Sequence, residues 1–173
     1  MTTAQRSILL ILPAADFNEQ EYLTVKNLLV KKGFNIFIAS DANSLCIGKN
    51  GLRVRADVNF FNIHAQNFAA IIFIGGEGVR KYWDNNILHK ITVDFNKAQK
   101  VIAAICSAPV ILARAGILSG RNVTCYPADK KEIEKKETTY KDEPAVVCGN
   151  IITAQSPAAS PEFTNLIVSH LSK

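Results

Sequence analysis

Short runs of apolar residues recur along the chain, separated by segments in which apolar residues follow helical spacing. Continuous apolar runs are typical of strands buried on both faces of a sheet. The predicted strands are 7–12, 34–39, 69–74 and 101–105, and the predicted helices are 19–32, 87–99, 109–115 and 160–171. This alternation predicts an α/β fold of flavodoxin-like type, with a doubly wound, mostly parallel sheet flanked by helices. We expect a single domain over residues 1–173.

The segments between these elements carry turn residues and shorter strand patterns. Lys49-Asn50-Gly51 predicts the turn of a hairpin within residues 45–58. After Gly120 the pattern predicts short strands over 123–126, 145–147 and 151–154.

The composition and charge of the chain argue against nucleic acid or a membrane as its partner. The chain has 173 residues, 48% of them hydrophobic, and a net charge of +5. Lysines are densest over residues 130–137, where glutamates interleave with them, which is typical of a solvated face rather than a nucleic-acid surface. No apolar stretch reaches the roughly 18 residues of a membrane-spanning helix, and residues 1–6 lack the layout of a signal peptide. We therefore expect a cytoplasmic protein that binds neither nucleic acid nor membrane.

The four cysteines show no spacing that predicts a zinc site. They are Cys46, Cys106, Cys125 and Cys148. We expect free thiols in a reducing compartment, with no metal and no cofactor. Cys125 and Cys148 fall in late predicted strands, whereas Cys46, near the hairpin, is expected to be partly exposed.

Three segments follow strands at the edge of the sheet where ligands bind in open parallel sheets: residues 13–21, 75–78 and 106–107. An apolar strand, Cys106 and then a helix start form the layout of a nucleophile elbow. The positive end of that helix favours the thiolate and predicts a lowered thiol pKa. The alternative interpretation is a buried structural cysteine.

Backbone N–H groups and carboxylates occupy the other two segments. The glycine-rich residues 75–78 offer N–H groups to an oxyanion, or form an ordinary tight turn. Glu19 and Glu21 open the first long helix, where surface carboxylates are common. None of the three histidines, His64, His89 and His170, adjoins the cysteine in sequence, and His89 and His170 are expected to be exposed.

Motifs around the elbow and in five other segments together resemble one known family. They lie at Ala103-Ala-Ile-Cys-Ser-Ala-Pro109, at 112–118, at 120–124, at 126–127, at 74–76 and at 149–153. The sequence resembles the ThiJ/PfpI superfamily, within the class I glutamine amidotransferase-like fold, over nearly its whole length. The resemblance implies an elbow cysteine at Cys106, a glutamate that hydrogen-bonds its sulfur at Glu21, and backbone oxyanion donors at Gly76 and Ser107.

Three further positions are expected beside this site: Gly75, Asn18 and Tyr126. Asn18 stands where some members carry an acidic residue, and Tyr126 where some carry a histidine. Protease-like members have a histidine at the position of Ser107, so the resemblance does not carry peptidase activity to this chain.

The resemblance implies a cysteine-dependent hydrolase, hydratase or glyoxalase/deglycase-like protein that acts on a small carbonyl or amide substrate. It also implies a homo-oligomer, either a dimer or a hexamer. One alternative is a non-catalytic oxidative-stress sensor or chaperone-like protein with an oxidisable Cys106. Another is a structural or partner-binding protein that retains an enzyme fold.

Overall fold

The computed structural model describes residues 2–42 and 45–172, which contain twelve strands and six α-helices. The strands are β1 (Ser7–Ile11), β2 (Ala15–Phe17), β3 (Asn35–Ser40), β4 (Leu45–Gly48), β5 (Arg53–Arg55), β6 (Val58–Asn59), β7 (Ala70–Phe73), β8 (Val101–Ile105), β9 (Asn122–Val123), β10 (Thr139–Tyr140), β11 (Ala145–Cys148) and β12 (Ile151–Ala154). The helices are α1 (Thr3–Arg6), α2 (Glu19–Lys31), α3 (Asn86–Lys97), α4 (Pro109–Arg114), α5 (Lys130–Glu134) and α6 (Ser160–Leu171). Met1, Asn43, Ser44 and Lys173, which the predicted domain includes, lie outside the described residues.

A seven-stranded sheet in the order β11-β12-β8-β7-β1-β3-β6 forms the centre of the molecule. Its strands pair in parallel, except that β11 is antiparallel to β12. The predicted α/β fold with a mostly parallel sheet is therefore confirmed. Because β1, β7 and β8 are parallel neighbours, their carboxyl ends lie at one edge of the sheet, as the site prediction requires.

Two apolar cores cover the two faces of this sheet. In β1, Leu9 and Ile11 belong to one core, while Ile8 and Leu10 belong to the other. Helices α3 and α4 contribute to the first core, and α2 and α6 to the second. All five residues of β1 are buried, and full burial of one such aliphatic side chain stabilises the fold by about 1.5–3 kcal/mol. This double covering explains why the central strands are apolar at consecutive positions rather than at alternate ones.

A second sheet, in the order β2-β4-β5, lies beyond the end of β1. The predicted hairpin is confirmed: β4 and β5 are antiparallel, and Gly51 in its turn has a φ of 93°. Strand β2 was not predicted, because Ala15 and Asp16 are exposed and give no apolar run. Cys46, in β4, is completely buried, so the expectation of partial exposure is wrong.

The strand predicted over residues 123–126 ends at Val123. Beyond it, the N–H of Thr124 donates to Oγ1 of Thr153 at 2.9 Å, and the N–H of Tyr126 donates to the carbonyl of Cys106 at 2.8 Å. The N–H groups of Thr124 and Tyr126 therefore do not pair with a neighbouring strand, and Cys125 between them is not in a strand. None of the helices within the described residues combines the length and the apolar character needed to cross a bilayer.

Candidate active site

Cys106 occupies a sharp turn between β8 and α4, as the elbow pattern predicts. Its φ is 62°, in the left-handed region that side-chain-bearing residues seldom adopt. The turn is held by hydrogen bonds from the Cys106 N–H to the Ala154 carbonyl, at 2.9 Å, and from the Ala108 N–H to the Ile105 carbonyl, at 3.1 Å. The residue is 8% exposed, so only a small part of it is accessible to solvent.

Glu21 lies in the first turn of α2 and is completely buried. Its Oε2 accepts a hydrogen bond from the Gly75 N–H at 2.8 Å, and the carboxyl lies beside the Cys106 side chain. Its Oε1 is buried without a nitrogen or oxygen partner among the described residues. The structure thus brings together the cysteine and the glutamate that the resemblance paired.

Asn18 fixes the position of Glu21 and of the glycine-rich segment. Its Oδ1 accepts a hydrogen bond from the Glu21 N–H at 3.1 Å, which is the usual bond of a helix N-cap. Its own N–H donates to the Gly75 carbonyl at 2.9 Å. Glu19 has a different role, since its Oε1 accepts hydrogen bonds from the N–H groups of Asn50 and Leu52 in the β4–β5 turn, at 2.8 and 2.9 Å.

Glycine is required at both positions that follow β7 and Ile74. A Cβ on Gly75 would lie 2.6 Å from Cβ of Cys106 and 2.7 Å from Oε2 of Glu21, so the carboxyl and the thiol can approach each other only across a glycine. Gly76 has a φ of 118° and a ψ of 169°, a conformation essentially restricted to glycine.

The backbone N–H groups of Ser107 and Gly76 hydrogen-bond the Cys106 sulfur. The Ser107 hydroxyl also contacts the sulfur, with its Oγ 4.0 Å from Sγ. These two amides are the ones that the resemblance implies as oxyanion donors. Their contact with the sulfur places them next to the atom where a tetrahedral intermediate would form.

Tyr126 and Trp83 contact the backbone of the elbow. Tyr126 donates its N–H to the Cys106 carbonyl, as described above, and its side chain is 40% exposed. Trp83 donates its Nε1–H to the Ser107 carbonyl at 2.9 Å. Sequence reasoning missed Trp83, because this residue lies 23 positions before the cysteine and no motif surrounds it. The one sequence feature that could have drawn attention to Trp83 is that the chain has a single tryptophan.

Burial raises the pKa values of both Glu21 and Cys106, and the charge of Glu21 adds to the rise at Cys106. The pKa of Glu21 rises from 4.5 to about 7, mainly through desolvation, which the hydrogen bonds that the carboxylate accepts from Gly75 and Cys106 partly offset. Desolvation and the charge of Glu21 raise the pKa of the Cys106 thiol to about 12, against hydrogen bonds from Ser107 and Gly76. This direction is opposite to the lowered pKa expected from the helix end, because the sulfur is buried beside a carboxylate.

Glu21 and Cys106 therefore titrate as a coupled pair. The pair loses its first proton near pH 7 and its second near pH 12. Between these two pH values, it holds one proton and one negative charge in a site that contains two N–H donors at the sulfur and one at the carboxyl. A carboxyl with a pKa near 7 is suited to general acid–base catalysis at physiological pH.

The histidines lie away from this pair within the described part of the chain. His64 is exposed, Nε2 of His89 contacts the Trp83 carbonyl at 2.8 Å, and Nδ1 of His170 contacts the Leu166 carbonyl at 3.1 Å. His89 and His170 are half-buried by these contacts rather than exposed as expected. Across residues 2–42 and 45–172, no three side chains of the metal-ligating types cluster as an ion would require.

Comparison with known proteins connects this site to a family. The family model described as "DJ-1/PfpI family" matches residues 6–170. A deglycase of Pyrococcus horikoshii is 30% identical over 149 residues, covering 86% of this chain and 90% of the relative. A glutathione-independent glyoxalase of Caenorhabditis elegans is 29% identical over 168 residues, covering 97% of this chain and 90% of the relative.

Solved structures with the same fold lead to the same family. A ThiJ/PfpI domain protein from Brachyspira murdochii superposes with a TM-score of 0.94 at 32% identity, covering 96% of each chain. A two-domain protein from Anabaena variabilis, with DJ-1/ThiJ/PfpI-like and ferritin-like domains, superposes with a TM-score of 0.92 at 27% identity. The match covers 96% of this chain and 48% of that protein.

Proposed function

The chain belongs to the DJ-1/PfpI family, and we propose that it is a cysteine-dependent enzyme of glyoxalase or deglycase type that acts on small reactive carbonyls. The observation that carries the proposal is the buried Glu21 carboxyl, which lies beside the Cys106 side chain across Gly75. The relatives named as a deglycase and a glyoxalase support the choice of reaction class.

The first chemical step is attack of the sulfur on an aldehyde carbon. The Glu21 carboxylate takes the thiol proton as the C–S bond forms, and the carbonyl electron pair moves onto oxygen. The N–H groups of Gly76 and Ser107 stabilise that oxyanion. Glu21 then returns the proton to the oxygen, which gives a hemithioacetal and restores the carboxylate.

For methylglyoxal, the same carboxyl completes the reaction as a proton relay. Glu21 removes the proton from the former aldehyde carbon and delivers a proton to the neighbouring carbon. The proton of the hemithioacetal hydroxyl passes to the oxygen on that neighbouring carbon, and the product is a lactoyl thioester on Cys106. Water hydrolyses this thioester, so methylglyoxal and one water yield lactate and the free thiol. No external oxidant is required, because one carbon is oxidised as its neighbour is reduced.

The surroundings of the sulfur support a small carbonyl over a peptide. In the Ser-His-Asp arrangement a histidine protonates the amine that leaves a peptide, and no histidine contacts Cys106 within the described residues. Ser107 stands where protease-like relatives have that histidine. The low exposure of the cysteine, 8%, also favours a compact substrate.

The test is lactate formation from methylglyoxal by the wild type, Cys106→Ala and Glu21→Gln, with Cys148→Ala as the matched control. Cys148 is a free, half-buried cysteine at the end of β11, so its loss should leave the rate unchanged. We expect both site variants to lose at least about 100-fold in kcat, the lower end of the range for a general acid–base group. Absence of lactate formation by the wild type, or an unchanged rate in Cys106→Ala, would remove the proposal.

The sensor alternative and the predicted homo-oligomer remain predictions. Oxidation by peroxide proceeds through the thiolate, and the raised pKa of the Cys106 thiol disfavours that form. No contact described above favours a sensor over an enzyme.

A further inference from the structure

The N–H group of Ser107 belongs to the same peptide as the carbonyl of Cys106. A trans peptide is planar, so its N–H and C=O point in opposite directions, and fixing one fixes the other. The Cys106 carbonyl accepts a hydrogen bond from the Tyr126 N–H at 2.8 Å. The hydrogen bond from the Tyr126 N–H to the Cys106 carbonyl therefore fixes the orientation of the peptide, and with it the direction of the Ser107 N–H toward the sulfur.

The second donor is arranged in the same way. The N–H of Gly76 shares its peptide with the carbonyl of Gly75, and this carbonyl accepts a hydrogen bond from the Asn18 N–H at 2.9 Å. Two N–H groups face the Cys106 sulfur, and each shares its peptide with a carbonyl. In both peptides, that carbonyl accepts a hydrogen bond from a main-chain N–H of another segment. An oxyanion site works by pre-organisation, since its donors need no rearrangement when charge develops.

We propose that Tyr126 is a positioning residue that acts through its main-chain N–H by orienting the Ser107 amide toward the reacting centre, as Asn18 orients the Gly76 amide. This inference rests on the proposed function for its role in catalysis. Its structural part, the orientation of a donor toward the Cys106 sulfur, can be measured without any substrate.

The segment that carries Tyr126 is held firmly enough for this role. The Thr124 N–H is bonded to the Thr153 side chain in β12, and the Asp129 N–H donates to the Tyr126 carbonyl at 2.8 Å. The buried Asp129 carboxylate also pairs with Arg80, in the turn that directly follows Gly76. The two segments beside the sulfur are thereby tied to each other and to the sheet.

The side chain of Tyr126 takes no part in this arrangement. It is 40% exposed and makes no hydrogen bond to the described residues. The residue has a φ of −52° and a ψ of 127°, close to the φ of about −65° that proline imposes. Tyr126→Pro therefore removes the N–H at a compatible backbone angle, and Tyr126→Ala removes the same side chain but keeps the N–H.

The experiment compares these two variants by turnover of methylglyoxal and by the rate of Cys106 alkylation with iodoacetamide at a fixed pH near 9. We expect Tyr126→Pro to have a kcat about 10- to 100-fold below that of Tyr126→Ala with a similar KM, less than the loss when an oxyanion donor is deleted outright. Its alkylation should be about 10-fold slower, because a hydrogen bond to the charged sulfur is weakened. Equal kcat and equal alkylation rates in the two variants would overturn the inference.

The inference can still be tested if Tyr126→Pro does not fold or if the wild type shows no turnover. If circular dichroism shows that Tyr126→Pro is unfolded, replacing the residue 126 amide by an ester, with the tyrosine side chain retained, deletes the same N–H without a ring. Slower alkylation in the ester supports the inference, and an unchanged rate refutes it. If the wild type makes no lactate, the proposed function fails, and the alkylation comparison still decides the positioning role.

Discussion

Replacing Glu21 by glutamine is expected to change how stability depends on pH as well as to abolish turnover. The carboxyl is completely buried, and its pKa rises from 4.5 to about 7, with desolvation as the largest cause. In the unfolded chain the same carboxyl ionises near 4.5. Between these values the folded protein binds more protons than the unfolded chain, so the free energy of unfolding falls as the pH rises.

The size of this effect follows from the shift in pKa. One pKa unit corresponds to about 1.4 kcal/mol, so ionisation of Glu21 removes about 3 kcal/mol of stability between about pH 4.5 and pH 7. The stabilising contribution is complete below the unfolded value and is lost as the pH passes the folded value. Glutamine has no such ionisation, and its amide oxygen can still accept the hydrogen bond from the Gly75 N–H.

Urea unfolding followed by the fluorescence of Trp83, the single tryptophan, provides the assay. Going from about pH 4.5 to about pH 8, Glu21→Gln should gain about 3 kcal/mol relative to the wild type. Cys106→Ala is the matched control: it keeps Glu21 in its buried position, so its stability should fall with pH at least as steeply as that of the wild type. Parallel pH profiles for the wild type and Glu21→Gln would refute the reasoning.

A second measurement on Glu21→Gln and two other substitutions test the site and its supports. Glu21→Gln should alkylate faster at Cys106 than the wild type near pH 9, because removing the carboxylate charge lowers the thiol pKa; mass spectrometry of the labelled protein checks the direction. Gly75→Ala should lose activity and about 1–3 kcal/mol of stability in urea, because its Cβ would lie 2.6 Å from that of Cys106. Asp129→Asn should lower the free energy of unfolding by about 1–3 kcal/mol, because it weakens the buried partner of Arg80.

Glu77→Gln is the control for the substitution at Asp129. Glu77 pairs with the same Arg80 at 3.1 Å, but its side chain is 76% exposed. Exposed pairs of this kind contribute about 0–1 kcal/mol, so the urea midpoint should scarcely move. An equal loss of stability in both variants would show that burial of Asp129 does not determine the strength of this contact.

The sequence was sufficient for the central sheet and for the elbow. Residues 101–105 and 151–154 form strands with the predicted bounds, because a strand buried on both faces must be apolar at consecutive positions. The helix over residues 160–171 also has its predicted bounds. Cys106 was identifiable because its neighbours are an apolar strand and a helix start.

Other features depend on contacts between segments far apart in the chain. Glu19 and Glu21 look alike in sequence, and only the fold directs one to the β4–β5 turn and the other to the sulfur. The raised thiol pKa arises from burial beside Glu21, 85 positions earlier, which no local pattern reveals. The roles of Asn18 and Tyr126 are carried by main-chain N–H groups, and residue identity says little about main-chain direction.

The left-handed backbone at Cys106 affects the choice of an inactive allele for work in cells. A side chain at such a φ costs about 1 kcal/mol or more relative to glycine. Cys106→Gly would relieve this strain, whereas Cys106→Ala would retain it, and differences of that size alter protein abundance in vivo. Cys106→Ala is therefore the better inactive variant for complementation experiments. With Cys106→Gly, the effect of losing the thiol could not be separated from the effect of a changed protein level.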